Sequence, residues 1–449
     1  MPLAEPAAPQ APVDRLRRIT LVLAILLSVA ALIQGHHRAG KGHNALLKWE
    51  PVFVALEEGE PIYETGVEGY PTLPLSLMVM SPFRATGSVA GPLLWACFKL
   101  AIAWWIVLSA MRMVAEPAHS LPGWGQLAVL LLVLRPLYSD LQHGNINLLV
   151  AGSLLAAALA WHRGNSFASG MWIGLGMVLK VTPALALVFF AARRSGRALA
   201  GALVGVGLLA FVAPGLWLGW ERNLELSASW WNQMITPALA GRDLTLLQTE
   251  HINQSLLGVL ARHLTDCVAI VARPPIHAVD VSIHWFELSG TALRRVHLAL
   301  SAVIVTACVL RSGPRGDRSG PRVLGQFSSL ALAMLILSER SWKHHYVTLA
   351  LPVAFLVGTY WRSVRGAAER RVCGMALTAA CATFALSSEA VLGARGSDLA
   401  EALGAQLLGA LVLFLACIWL LGRSGRGALG PDPVTKPDPS PSGPHLTIL

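Results

Sequence analysis

Apolar runs close to the length that crosses a bilayer recur from Ile19 to Leu421, and this spread constrains the fold more than any motif does. A hydrocarbon layer of about 30 Å takes a helix of about 20 apolar residues. Water is absent there, so backbone N–H and C=O groups must be satisfied within the chain, and a chain with many such runs folds as a helical bundle. The 449 residues are 54% hydrophobic and only 13% charged, which sets the chain apart from ordinary soluble domains. Residues 19–422 therefore read as one polytopic membrane domain. A cytoplasmic segment, 1–18, precedes it, and a tail rich in Pro, Ser and Asp, 423–449, follows and is expected to be disordered and cytoplasmic. The apolar stretch after Arg15, Arg17 and Arg18 ends in Gln34-Gly35-His36-His37 without a small-x-small cleavage pattern, so it reads as an uncleaved first helix.

Helices are predicted at roughly 19–34, 90–113, 123–138, 146–162, 166–179, 183–193, 198–218, 294–310, 324–338, 346–361, 372–392 and 403–421, about twelve in all. With the N-terminus in the cytoplasm, that path puts Arg193, Arg194 and Arg197 on the cytoplasmic side. Arg311, Arg315, Arg318 and Arg322 join them there, as do Arg362, Arg365, Arg370, Arg371, Arg423 and Arg426. The formal charge of +10 thus reports membrane orientation and no nucleic-acid face. The stretch 166–192 decides the count, because reading it as one long helix reverses everything downstream. Pro183 disfavours helix at Thr182, so two short helices meeting at 180–183 are expected, with protein and not lipid around the break.

This topology sends the polar segments 35–88, 139–147, 180–183, 220–292 and 339–345 to the outer face. No GxxxxGK[ST] loop and no Asp-x-Asp pair is present, so nothing in the chain reads as a site for a cytosolic nucleotide or its metal. Five of six cysteines lie in apolar runs and Cys267 stands alone in a loop, which excludes a disulfide framework. His36, His37 and His43 read as a hydrated loop and no metal site is expected.

Tyr138-Ser139-Asp140-Leu141-Gln142-His143-Gly144-Asn145-Ile146-Asn147 gathers an acid, an imidazole and amides in one short connection. Such a segment can be a hydrated turn with Asn145 or Asn147 capping the next helix. Equally, amides beside a carboxylate supply the donors and acceptors that a hydroxyl-rich ligand requires. Lys180 interrupts an apolar stretch, where a lysine at the bilayer centre costs roughly 2.5–3.5 kcal/mol. Snorkelling to the interface offsets that, as does a bound anion such as phosphate. Glu339-Arg340-Ser341-Trp342-Lys343-His344-His345 is either an interfacial belt or an anion site built on Arg340, Lys343 and a histidine. In the first outer segment Glu50 stands apart from the solvated glutamates Glu57, Glu58, Glu60, Glu64 and Glu68. Asn253-Gln254-Ser255 matches a glycosylation sequon, a pattern common by chance.

Taken in order, Gly59-Glu60-Pro61-Ile62-Tyr63 with Tyr70-Pro71-Thr72-Leu73-Pro74, then His143-Gly144-Asn145-Ile146-Asn147, then Lys180-Val181-Thr182-Pro183, then Ser341-Trp342-Lys343-His344-His345, resemble glycosyltransferase family 87 over about residues 15–420. The Gly-Asn-x-Asn and Lys-x-Thr-Pro pair is the most specific part. The resemblance implies a GT-C membrane fold, and the basic loops and a composition rich in Ala, Gly and Arg point to a bacterial inner membrane. It also implies a polyprenyl-phosphate sugar donor, mannose in characterised members, and transfer with inversion to a lipid or glycan acceptor at the extracytoplasmic face. Members usually carry an aspartate soon after the first helix, and residues 35–88 hold none. The proton-accepting role therefore falls to Glu50 and Asp140, because inversion needs one carboxylate base. Lys180, Arg340 and Lys343 would steady the departing phosphate. His143, Asn145, Asn147, Thr182, Asn253, Gln254, His344 and His345 would position sugar or phosphate. A secondary transporter or flippase of lipid-linked sugars is the competing class, and it calls for internal repeats and mid-membrane polarity. A non-catalytic homologue is the other.

Overall fold

A computed structural model describes residues 13–42, 44–63, 70–115, 120–237, 248–311, 313, 317–363 and 366–423. His43, Glu64, Glu68, Arg315, Arg365 and Arg426 lie outside these residues, as does the tail beyond 423. Among the described residues the chain is helical, and its extended pairing is limited to two isolated bridges, Ile270 with Val281 and Arg273 with His277.

Six described helices are long and apolar enough to cross a membrane: Arg15–Ala39, Gly87–Val114, Gly196–Leu218, Gly290–Leu310, Gly320–Leu337 and Ala405–Arg423. Ala367–Leu386 and Glu389–Ala402 make a seventh span if the 81° bend between them is taken as a break within one crossing. Shorter apolar helices fill the middle of the chain: Asn147–His162, Ser166–Leu179 and Thr182–Ala192. The first helix begins at Val13, inside the segment expected to precede it. The helix expected to stop near 138 runs on to His143. Further helices, Glu50–Glu57, Leu75–Arg84, Trp220–Trp230 and Leu256–Leu264, occupy segments expected as outer loops.

Side-chain contacts divide the bundle into two ends. At one, Arg17 bonds Ser120, Arg318 donates to the Trp161 carbonyl at 3.3 Å and to Ser166 Oγ at 3.0 Å, and Arg193 donates to the Gly313 carbonyl at 2.8 Å. Arg423 pairs with Glu369 at 2.7 Å in the same region. At the other end Trp95 Nε1 donates to the Gly144 carbonyl at 2.6 Å, Lys99 meets Asp140, and Asn253 holds the Glu339 carbonyl at 3.0 Å. Arginines from distant parts of the sequence thus converge opposite the polar motifs.

Helix lengths fix how deep those motifs sit. Ser166–Leu179 has 14 residues and Asn147–His162 has 16, which at 1.5 Å per residue reach about 21 and 24 Å from the arginine end. Both fall short of the roughly 30 Å of hydrocarbon. Gly87–Val114, with 28 residues, is about 42 Å long. It touches Gly144 through Trp95, so its Gly87 end rises about 12 Å beyond that turn. The space around the projecting end is filled by a second apolar cluster that includes Phe53, Tyr70, Leu77, Trp95, Leu226 and Trp230. Trp230 Nε1 ties it together by donating to the Pro71 carbonyl at 3.1 Å. The polar turn, which ends the 21-residue helix Gly123–His143, therefore lies against this second apolar cluster.

The broken 166–192 stretch is packed along one side against a neighbouring helix, while Phe167, Trp172, Val181 and Val188 remain exposed. Ser166–Leu179 packs on Gly196–Val206 through Gly170, Gly174, Gly201 and Gly205, the small-x-x-x-small spacing that lets membrane helices approach closely. A Cβ at Gly170 or Gly201 would run into the Ala198 or Phe167 carbonyl oxygen. Past the break, Phe189 and Phe190 are buried against Trp161 in the main core. At the break itself Pro183 is buried and Lys180 and Thr182 are half-buried, while Val181 is exposed.

Candidate active site

Gly123–His143 carries Asp140 and His143 on its last turn, so the connection to the next helix is only 144–146. Gly144 ends the helix at φ 69°, a left-handed conformation that glycine adopts without Cβ strain. A Cβ there would also lie 2.6 Å from Asn44 Oδ1, so glycine is required twice over. Asn44, 2% exposed, caps the short helix Ala45–Lys48 by accepting from the Leu46 N–H at 2.9 Å. This side chain seats the segment that follows the first helix directly on the Gly144 turn.

Asp140 is fully buried, and both of its carboxylate oxygens face partners. Asn147 Nδ2 donates to Oδ1 at 3.0 Å, and Lys99 Nζ stands 2.7 Å from Oδ2. Lys99 also donates to the Asp140 carbonyl at 2.6 Å, and it too is fully buried. Asn145 is half-buried, and His143 Nδ1 lies 2.7 Å from the Ser139 carbonyl oxygen.

Lys180 leaves the end of Ser166–Leu179 in extended backbone, φ −160° and ψ 130°, and a 3-10 turn at Thr182–Ala184 follows. The break expected from Pro183 is where the sequence places it. Lys180 and Thr182 line a cavity of about 30 Å³ with Asn147, Ser338, Ser341 and His345, room for about two waters. Lys99, Lys180 and one carboxylate leave a net positive charge in a confined space, which selects for an anion.

The turn after Gly320–Leu337 closes the site from a third side. His344, 5% exposed, stacks on His143 with centroids 4.8 Å apart and meets His345 edge-on at 4.6 Å. Trp342 stacks on His345 at 5.8 Å. Among the described residues His344 Nε2 has no hydrogen-bond partner. Lys343 turns away to Glu401, 2.6 Å from its Oε1, and the Arg340 side chain is exposed.

Asn253 and Gln254 are fully buried and committed to the backbone. Asn253 donates to the Gln248 and Glu339 carbonyls and accepts from the Ser255 and Ser341 N–H groups at 2.9–3.1 Å. Gln254 donates to the His251 and Glu401 carbonyls at 2.6 Å. These two amides pin the Ser341 turn and the Glu389–Ala402 helix to the segment around 248–255, and buried Asn253 has no room for a glycan. Glu50 is tied elsewhere, 2.8 Å from Arg84, which also bonds Glu57.

The structure thus gathers Asp140, His143, Asn145, Asn147, Lys180, Thr182, His344 and His345, with Lys343 and Arg340 on an adjoining turn. Lys99 and Asn44 were missed by the sequence reading. Lys99 carried a usable signal, a lone lysine in an apolar helix. Glu401 and Gln406 carried none, since their burial depends on contacts far away in the chain.

Comparison with known proteins follows the same lines. The family model for glycosyltransferase family 87 matches residues 70–388. Over 332 residues the chain is 28% identical to a polyprenol-phosphate-mannose-dependent alpha-(1-2)-phosphatidylinositol mannoside mannosyltransferase of Mycobacterium tuberculosis, covering 68% of each chain. A protein of the same name from Mycolicibacterium smegmatis is 27% identical over 355 residues, 72% of this chain and 70% of that one. No solved structure matches the chain.

Proposed function

This chain belongs to glycosyltransferase family 87 and is a multi-pass membrane glycosyltransferase, and from that premise we propose that it moves mannose from a polyprenyl-phosphate donor to a membrane glycolipid, with inversion, at the extracytoplasmic face. The observation that carries this reading is the cavity in which Lys180, Thr182, Asn147 and His345 meet beside the Lys99–Asp140 pair. Two lysines around one carboxylate suit a phosphate, and a site below the surface lets the polyprenyl chain stay in lipid. The mycobacterial relatives are named for a polyprenol-phosphate-mannose donor and a phosphatidylinositol mannoside acceptor. A related donor and a lipid-anchored acceptor fit this site. The arginine-lined end supports the sidedness, because loop arginines stay in the cytoplasm.

Each candidate base is neutralised by a cation at rest, Asp140 by Lys99 and Glu50 by Arg84. Asp140 is the better placed, since Asn147 links it to the cavity wall. As the glycosidic C–O bond breaks, charge grows on the phosphate oxygens and attracts Lys99 as well as Lys180. The carboxylate so released accepts the acceptor hydroxyl proton while that oxygen bonds to the anomeric carbon. His143 and His344 present stacked rings to the sugar, and Asn145 offers an amide. Asn253 and Gln254 position the turn that bears Ser341 and His344. Arg340 and Lys343 serve at the rim.

The test is incubation of purified protein with labelled polyprenyl-phosphate mannose and a membrane lipid extract. Wild type yields a mannosylated lipid of inverted anomeric configuration, and Asp140→Asn yields at least 100-fold less. Retained configuration, or no product from a folded wild type, overturns the reading; full activity of Asp140→Asn overturns the base.

A further inference from the structure

The helix Trp220–Trp230 lies outside the candidate site, and its faces differ in chemistry. Gly219, at φ 88°, turns the chain back from the end of the span Gly196–Leu218, in a conformation that glycine adopts without Cβ strain. On the inward face Asn223, fully buried, donates from Nδ2 to the Ala210 and Phe211 carbonyls of that span at 3.1 and 3.2 Å. Leu226 and Trp230, also buried, join the second apolar cluster. On another face Glu221 and Glu225 are exposed, and Arg222 reaches from Glu225, 3.4 Å away, to the Glu60 carbonyl at 2.5 Å.

The remaining face is apolar and open. Trp220, Leu224 and Trp231 are 53%, 54% and 52% exposed. At about 100° per residue the second and third fall within roughly 40° of the first, so the three make one stripe. A face in water is expected to carry polar residues. The apolar exposure also continues through the turn into Leu208, Phe211, Leu216 and Trp217 of the span, whose surroundings are lipid. Tryptophan collects where hydrocarbon meets headgroups, and this stripe stands at the end of the span away from the arginines. At that same end the exposed Trp285 and Phe286 precede the span Gly290–Leu310.

We propose that Trp220–Trp230 is a surface anchor lying in the bilayer interface, with Trp220, Leu224 and Trp231 among the upper acyl chains and Glu221 and Glu225 in water. Its outward charges are acidic, so apolar burial drives insertion and attraction to anionic headgroups does not. The anchor stands without the transfer reading. Its use in catalysis rests on that reading: Leu226 and Trp230 share their cluster with Val178 and Leu179, which lead into Lys180. The headgroup level, where a lipid-borne phosphate arrives, is thereby set beside Lys180.

The test is spin-label depth measurement on full-length protein in phosphatidylcholine nanodiscs, with Cys97, Cys267 and Cys381 changed to serine. Single labels are placed through Leu224→Cys, Glu221→Cys and Val303→Cys, all at exposed positions, the last inside the span Gly290–Leu310 as a marker of hydrocarbon. Oxygen partitions into lipid, whereas a nickel chelate stays in water. The Leu224 label is expected to be relaxed by oxygen and shielded from nickel, at a depth of about 5–10 Å that lies between the other two. The Glu221 label is expected to be open to nickel. Equal nickel access at 224 and 221 overturns the proposal. So does a 224 label shielded from both reagents, which marks a protein partner, or dipolar broadening between labels, which marks a second copy. Adding phosphatidylglycerol leaves the depth unchanged, and insertion that requires it overturns the proposal. A result against the anchor leaves mannose transfer standing, and an anchored protein that transfers no mannose counts against the transfer reading alone.

Discussion

Lys99 Nζ lies 2.7 Å from Asp140 Oδ2, and neither side chain has any exposed surface. Two elements that pack side by side, Gly87–Val114 and Gly123–His143, are thereby locked at the level of the candidate site. Removing one member of a buried pair strands the other charge, at about 3–5 kcal/mol. Lys99→Met is therefore expected to lower the melting temperature in detergent sharply, and adding Asp140→Leu to recover more than half of the loss. A single variant as stable as wild type contradicts the pairing.

Gly144 joins this turn to the first outer segment. Gly144→Ala forces a Cβ into a left-handed backbone and against Asn44, with a loss of about 1–3 kcal/mol. Adding Asn44→Ala is expected to relieve the clash but not the backbone strain. Chemical denaturation of the single and double variants separates the two contributions.

His251 gives the 248–292 segment a pH dependence. Its Nε2 is 3.3 Å from Asp398 Oδ1, yet burial outweighs that attraction and pulls the imidazole down to about 4. The unfolded chain protonates at about 6.5. Between those values the unfolded state binds the extra proton, so this contribution is complete above about pH 6.5 and is lost as pH falls toward 4. Melting curves at pH 7 and pH 5 are expected to show the drop, and His251→Gln to reduce it. An equal drop in the variant assigns the effect elsewhere.

Much of the bundle was legible because bilayer physics acts locally. Apolar length and Pro183 place the break at Lys180 and the apolar helices, though only six or seven of the described helices, against the twelve expected, are long and apolar enough to cross. Arginine position predicts the two ends, and contacts such as Arg318 with Ser166 bring these residues together. Depth was not legible, since it arises from comparing helices that meet, as Trp95 meets Gly144. The same holds for partners. Asp140 reads as an open loop carboxylate until Lys99, 41 positions earlier, is brought against it. Asn253 and Gln254 look like ligand amides in a polar loop, but their groups are spent on the backbone of turns that follow much later in the chain.

Lys180 offers the cleanest trial of the site, because it borders the cavity without belonging to the Lys99–Asp140 pair. Losing one charge-assisted hydrogen bond to phosphate, about 1.5–3 kcal/mol, corresponds to roughly a 10- to 100-fold drop in kcat/KM for the polyprenyl-phosphate donor in Lys180→Met. Lys180→Arg should keep part of the activity, and both proteins should melt close to wild type. Transfer at the wild-type rate by folded Lys180→Met would show that the phosphate departs somewhere else.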